Sequence, residues 1–264
     1  MKKELMYERD LIFVPFTTKM NSLEQMFYDE LMKEVDEFVH LTVQWLQSNE
    51  GKEFLSTRKG IRSVLRSHHF KTKKLLNYLR TNYRIGASYA HKSLGKHFIE
   101  LDYEDYESVR NLYNGVNDVL DRFEDTITED IMFILNELWE VISDLSYWAN
   151  FKDRHYTTPI SARTRCEMIA RTEMARSFNG GVLQTYAKYG IALVELVNYN
   201  DLGICDTCIE LIRNNPYTLM EAVSILPVHP NCKCFAVVYL LEDGQIIERV
   251  EDPIIIDMFN QNIG

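Results

Sequence analysis

The sequence lacks any long apolar segment. Its longest stretch without a formal charge is twelve residues, 38–49, whereas a transmembrane helix needs about 20 apolar residues. The first residues, Met-Lys-Lys-Glu-Leu, mix charges, and Pro15 interrupts the apolar patch at 11–16, so we expect no signal peptide and no membrane partner. We expect a protein made in a reducing cytoplasm, where cysteines persist as thiols or metal ligands.

Common motifs of nucleotide-binding and hydrolytic enzymes are also missing. The sequence contains no GxGxxG, GxxxxGK[ST], HExxH or GxSxG. After residue 100 the only histidines are His155 and His229, too few for a His-Asn-His nuclease once His229 serves the cysteine site described below. An ADP-ribosyltransferase-like site needs its groups on separate elements, whereas Arg171-Thr172-Glu173 lie in one predicted helix. We therefore expect no enzymatic activity.

Cysteine is scarce, but four of the five cysteines fall within thirty residues. Cys205 and Cys208 enclose two residues, and His229, Cys232 and Cys234 follow about twenty residues later. Donor pairs at this spacing can close a tetrahedral zinc site from two tight turns. Because five donors compete for four positions, either Cys232 or Cys234 is spare. The alternatives are a packed thiol core and a disulfide, which the odd cysteine count disfavours.

The net charge of −10 hides a division along the chain. Residues 54–99 contain eleven lysines and arginines and no acid, whereas residues 100–130 contain eleven acids and two bases. Basic side chains interleaved with aromatics suit sequence-independent contact with a phosphate backbone. The predicted DNA-binding residues are Arg58, Lys59, Arg62, Arg66, Lys71, Lys73, Lys74, Arg80 and Arg84. The alternative is internal, with the basic stretch neutralised by the acidic block 100–130.

Hydrophobic periodicity predicts an α+β fold: a mostly α-helical N-terminal region with long helices, followed by a small α+β domain with a β-hairpin. We expect an arm at 1–20 and a helix from Ser22 to about residue 49. A second helix is expected to run from Ile61 to Ile85-Gly86; the alternative is a bend already at 66–69. Apolar residues at 120–148 follow a nearly heptad spacing, which predicts a seam covered by an antiparallel helix or a neighbouring subunit. The alternative is the core stripe of an ordinary helical bundle.

The predicted domains are an arm at 1–20, a helical domain at 21–155, an α+β domain at 156–250 and a tail at 251–264. In the α+β domain we expect a helix from about Ser161 to Gly190, strands at 191–199, 234–241 and 246–250, and a turn at Asp243-Gly244. Three charged residues of that helix, Arg171, Glu173 and Arg176, are expected to fix the helix start by ion pairs to the cysteine loop; a small-anion pocket is the alternative.

Several of these residues together carry a resemblance. In order they are Arg171-Thr172-Glu173, Asn179-Gly180, Cys205-x-x-Cys208 and His229-Pro-Asn-Cys232-Lys-Cys234. This order resembles the signature domain of the phage Mu protein F family, the minor head or head morphogenesis proteins of tailed phages, and it covers roughly residues 160–240.

The resemblance implies a virion component in the capsid interior near the portal, made in the host cytoplasm. It would act in head assembly, genome packaging or DNA delivery. Its partners would be the portal protein, capsid or scaffolding proteins, and double-stranded DNA if the basic stretch binds it; an acidic ring of portal protein is another candidate for that stretch. The alternative from another class is a zinc-stapled nucleic-acid-binding module outside any particle.

Overall fold

Eight α-helices, one 3₁₀ helix (Phe151–Asp153) and three short strands account for most of the described chain. The computed structural model describes residues 2–48, 54–137, 145–198, 204–241 and 245–246. The helices are α1 (Lys2–Ser48), α2 (Phe54–Ser67), α3 (Thr72–Ser93), α4 (Tyr103–Glu137), α5 (Leu145–Ala149), α6 (Ala162–Lys188), α7 (Asp206–Arg213) and α8 (Leu219–Ile225). The strands are β1 (Leu193–Asn198), β2 (Tyr217–Thr218) and β3 (Cys234–Val238). None of the described helices combines the length and apolar character needed to cross a membrane.

The fold is α+β, as predicted, with long helices preceding a small sheet. The sheet has the order β2–β1–β3, and both pairings are antiparallel. In the β1–β3 register Asn198 lies opposite Cys234, so the last cysteine is anchored at the end of the central strand. All five residues of β3 are buried, because this strand packs on the core formed with α6.

Contacts divide the chain into two compact units, each built from separate segments. Unit 1 comprises residues 1–26, 76–116 and 170–264, and unit 2 comprises 27–75 and 117–169. The domains predicted from the sequence are instead continuous stretches of chain, and they stay a prediction.

Unit 2 has an apolar core to which the seam of α4 contributes. Phe123, Ile127 and Ile131 are buried, and the rings of Phe70 and Phe123 meet edge to face with centroids 5.7 Å apart. Burial of these residues within one chain favours the ordinary core stripe over a seam between subunits. Residues 138–144 of the predicted seam lie outside the described residues.

In unit 1, helices α3 and α6 approach each other closely through glycine. A Cβ on Gly86 would lie 2.1 Å from the Phe178 carbonyl oxygen, and one on Gly181 would lie 2.1 Å from the Tyr83 carbonyl oxygen. The predicted helix end at Ile85-Gly86 is therefore wrong. Gly86 lies inside α3 because it lets two backbones touch, a use of glycine that a single sequence does not distinguish from a helix stop.

Other boundaries differ in places. Residues 2–20, predicted as an arm, lie within α1, which includes Pro15. The alternative of a bend at 66–69 is confirmed, since α2 ends at Ser67 and α3 begins at Thr72. The Asp243-Gly244 turn, most of the third strand and the tail 251–264 lie outside the described residues, although Leu240 and Ile246 form an antiparallel bridge.

Candidate metal centre

Cys205 and Cys208 are positioned by the start of helix α7. Cys205 is the N-cap residue, in extended conformation, and its sulfur accepts a hydrogen bond of 3.4 Å from the backbone N–H of Cys208. Three residues later, Cys208 points into the same region and is buried. The helix start thus presents two sulfurs and stabilises negative charge on the first of them.

His229 contributes a nitrogen from the turn before β3. Its Nδ1 lies 2.7 Å from the carbonyl oxygen of Pro230, so this nitrogen carries the hydrogen and donates it. In the neutral imidazole the other ring nitrogen, Nε2, then carries the lone pair, and it lies 3.1 Å from Cys205 Sγ and 3.2 Å from Cys208 Sγ. In metal-binding histidines, the ring nitrogen that does not bind the metal usually donates to a carbonyl, a carboxylate or water, as Nδ1 does here.

Cys232 and Cys234 approach the same region from the entry to β3. Cys232 Sγ lies 4.0 Å from Cys208 Sγ and accepts a 3.4 Å hydrogen bond from the backbone N–H of Cys234. The five donors form two overlapping sets, Cys205–Cys208–His229 and Cys208–Cys232–Cys234, and within each set all ligand atoms lie within 4.8 Å of one another. Cys208 belongs to both sets, so it is the centre of the cluster. These groups lie close enough together to hold a metal ion.

The thiols are electrostatically unequal. The pKa of Cys232 is lowered to about 5, chiefly because the Cys234 thiol donates a hydrogen bond to it. The same interaction raises the pKa of Cys234. Burial raises the pKa of Cys208 to about 12, while the Cys208 backbone N–H lowers the pKa of Cys205. The cluster thus contains two sulfurs whose surroundings favour the thiolate, the form that binds metals.

Helix α6 holds the cysteine loop through two side chains. The Asn179 amide donates to the Cys234 carbonyl over 3.1 Å and accepts from the Ala236 N–H over 3.1 Å. Thr172 Oγ1 accepts a hydrogen bond from the Asn231 N–H over 3.1 Å. Asn231 has a φ of 68°, a left-handed conformation that asparagine tolerates better than most residues, so this contact secures a special turn directly before Cys232.

Two ion pairs involve the charged residues of α6. Glu173 and Arg176, three residues apart, pair with each other at 3.5 Å, whereas Arg171 pairs with Glu24 at 3.1 Å. Arg171, Glu173 and Arg176 lie in the middle of α6, whose first residue is Ala162. Among the described hydrogen bonds, Thr172 contacts the cysteine loop, because its hydroxyl can accept from the Asn231 N–H whereas a guanidinium has only donors.

The chain matches no protein-family model, no curated protein and no solved structure. The geometry of the cluster is therefore the basis for any statement about its role. Sequence reasoning named all five donors and the Asn179-Gly180 pair, but it did not anticipate that Asn179 bonds the strand that carries Cys234. The available signal was the asparagine beside two glycines inside a predicted helix, since a buried amide requires partners.

The predicted DNA-binding residues differ in their surroundings, because some pair with carboxylates and others are exposed to solvent. In unit 2, Arg62 pairs with Glu129, and Lys74 Nζ lies 2.9 Å from Glu30 Oε1. The neighbouring His69 Nδ1 lies 3.1 Å from Glu124 Oε2. Lys59, Arg66, Lys71 and Lys73 of the same unit, and Arg80 and Arg84 of unit 1, are exposed, and the side chain of Arg58 lies outside the described residues. Two contacts of the basic stretch, Arg62–Glu129 and His69–Glu124, therefore reach the acidic block as the internal alternative expects. DNA binding stays a prediction.

Lys74 and Lys73 offer a matched test of these two roles. Lys74 is the main cause that holds the pKa of Glu30 below its ordinary value of 4.5. A lowered carboxyl pKa stabilises the fold above pH ~4.5, and this contribution is lost as pH falls through the lower folded value. We expect Lys74→Gln to cost about 0.5–1 kcal/mol at neutral pH and to flatten the loss of stability on acidification.

Lys73→Gln, which removes the same charge one residue away, should change stability by less than about 0.5 kcal/mol. Urea unfolding at neutral and acidic pH measures both variants, and equal effects would show that the Glu30 pair is irrelevant.

If the stretch binds duplex DNA, replacing Lys71, Lys73 and Lys74 together should also lower the salt slope of binding by about two to three units, provided that each lysine neutralises one phosphate.

Proposed function

We propose that the cluster holds one structural zinc ion through Cys205, Cys208, His229 and Cys232. With Zn–S bonds of about 2.3 Å, two sulfurs of a tetrahedral site lie about 3.8 Å apart, close to the 4.0 Å between Cys208 and Cys232. An all-sulfur-and-imidazole donor set suits zinc. With four protein ligands it leaves no open position for a substrate, which favours a structural ion over a catalytic one.

Cys234 is the spare donor in this proposal. It is held in the sheet opposite Asn198, whose side-chain amide donates to its sulfur over 3.5 Å. Its backbone N–H already serves Cys232. Cys232 lies in the turn before the strand, where small backbone changes can bring its sulfur toward the other ligands. Cys234 therefore supports the fourth ligand without being one.

The proposed zinc ion predicts a definite metal content. Protein produced in zinc-replete cells should contain close to one equivalent, measured by inductively coupled plasma mass spectrometry. Cys234→Ser should keep that equivalent, whereas Cys232→Ser should lose it. Less than about a tenth of an equivalent in the parent protein, with stability unaffected by a chelator, would leave a packed thiol core as the correct description.

We further propose that the protein is a minor head protein of a tailed phage that acts at the portal. One observation supports the proposal. Residues far apart in the sequence that carry the resemblance to the Mu protein F family converge on one site, where Thr172 and Asn179 of α6 bond the loop and strand that bear Cys232 and Cys234. The residues that carry the resemblance therefore form one structural unit, which supports the family proposal, and the assembly role follows from that resemblance.

Particle composition tests this role. Antibodies or mass spectrometry applied to purified procapsids and virions should detect the protein in a few copies per particle, and portal protein should be cross-linked to it. Empty procapsids assembled without the gene should then fail in packaging or delivery. Absence from both kinds of particle, with the protein recovered free in the lysate, would favour the zinc-stapled module that has no role in virions.

A further inference from the structure

A polar cleft in unit 1 lies apart from the cysteine cluster. It has a volume of about 260 Å³ and is lined by Asn77, Arg80, Thr81, Arg84, Glu100, Leu101 and Tyr106; we refer to it as the Arg80–Arg84 cleft. The first four of these residues lie on one face of α3, at positions spaced by three, one and three residues. The wall opposite comes from the segment before α4 and from its first turn.

The two arginines of the cleft are held in place without neutralisation. Arg80 donates to the Tyr106 hydroxyl over 3.0 Å, and its guanidinium lies 5.1 Å from the centre of the Tyr106 ring. The Arg84 guanidinium lies 5.7 Å from the centre of the Phe98 ring. Aromatic faces and a hydroxyl orient a guanidinium but leave its positive charge available.

Three other arginines of unit 1 pair with carboxylates. Arg171 pairs with Glu24 and Arg176 with Glu173, while Arg110 pairs with Glu107. Within the described part of the chain neither Arg80 nor Arg84 has a carboxylate within ion-pair distance. The cleft therefore presents two oriented guanidinium groups one helical turn apart, and Glu100 is the one acid among its lining residues. Two cationic forks against a single carboxylate suit a phosphate oxyanion.

Exposed aromatic and apolar side chains border the cleft in the sequence. Ile99 is 84% exposed, Tyr103 is 77% exposed and Tyr106 is 46% exposed. In the sequence, Ile99 directly precedes the lining pair Glu100 and Leu101, and Tyr103 follows Leu101 by two residues. Flat side chains beside a phosphate site are the usual platform for the bases of a single strand, because a duplex hides its base faces.

We propose that the Arg80–Arg84 cleft binds a backbone phosphate of a single-stranded nucleic acid, with neighbouring bases stacking on Tyr103 and Tyr106. This inference narrows the nucleic-acid role predicted for the basic stretch. It requires neither the zinc ion nor a place in a phage head. Arg62 and Lys74 take no part in it, since both pair with carboxylates.

Fluorescence anisotropy with a short labelled oligothymidylate tests the proposal. The double variant Arg80→Gln/Arg84→Gln should weaken binding at least about tenfold, since charge-assisted hydrogen bonds to one phosphate are lost. The salt slope between about 50 and 200 mM should fall by about 0.7, the value for one phosphate of a single strand. Tyr103→Ala should weaken binding without changing that slope.

The matched control is Lys92→Gln/Arg110→Gln, which removes two exposed charges of unit 1 outside the cleft and should alter affinity less than about threefold. Equal losses in the two double variants would overturn the proposal, as would a parent that fails to bind the oligonucleotide at low salt. Preference for duplex DNA, or binding of inorganic pyrophosphate alone, would overturn the single-strand assignment. If the double variant melts early, Arg84→Gln alone should still weaken binding at least about threefold, because Arg84 is exposed and its guanidinium lies over the Phe98 ring, so its loss should disturb the fold little.

Discussion

Replacing Cys208 by serine is expected to abolish metal binding and to unfold the sheet and the helices that surround the cysteine cluster. Cys208 is 2% exposed and is the donor shared by both sets of ligands. A serine hydroxyl is a poor zinc ligand, and structural zinc contributes on the order of 10 kcal/mol or more to folding. That contribution is comparable to the whole stability of an ordinary domain.

The measurement combines metal content, thermal melting and limited proteolysis of the variant. Cys166→Ser is the matched control, because Cys166 is also fully buried but lies on α6 outside the cluster. It should retain one equivalent of zinc and lose only about 1–3 kcal/mol, the cost of burying a hydroxyl. If Cys208→Ser keeps its metal and melts like Cys166→Ser, the cluster has no structural ion.

Replacing Gly181 by alanine is expected to destabilise the protein by about 3 kcal/mol or more, near the upper end of overpacking effects. The new Cβ would lie 2.1 Å from the Tyr83 carbonyl oxygen and 2.8 Å from the Ala87 nitrogen. Both atoms belong to the backbone of α3, so neither can rotate away and the two helices must separate. Separation would disturb the core that α6 forms with the sheet.

Gly180→Ala is the control at the adjacent residue. Its Cβ would meet only the Tyr83 ring, at 3.4 Å, a tight but adjustable contact with a side chain. Alanine also favours the helix over glycine by up to about 1 kcal/mol, so this variant should be neutral or slightly stabilised. Urea unfolding of the two variants decides the matter, and similar free energies of unfolding would mean that α3 and α6 do not touch at Gly181.

Much of the local organisation could be predicted from the sequence, because it depends on patterns within a few turns. Apolar periodicity located the long helices and the core stripe of α4. The two-residue spacing of Cys205 with Cys208, and of His229 with Cys232, placed donors on single turns that can face one ion. A β-branched apolar run located β1. Each of these features follows from the 3.6- or 2-residue repeat of its own element.

Predictions that required distant partners were less complete. Gly86 was expected to end a helix, and it instead permits a close crossing with α6, which only the packing of two elements can show. Arg171 was expected to reach the cysteine loop by an ion pair, but Glu24 is its partner. Charged side chains are long and pair with whichever acid the fold brings near, so the sequence does not determine a partner on a distant segment.

The sequence by itself determined the donors of the cysteine cluster, because the residue types and their spacing within each turn are local. Only the tertiary structure decided their order of importance. It placed Cys208 at the centre, turned His229 Nε2 toward two sulfurs, and held Cys234 in the sheet opposite Asn198. The reason is physical: two turns about twenty residues apart meet only when β1, β3 and α6 pack together, and that packing depends on the whole core.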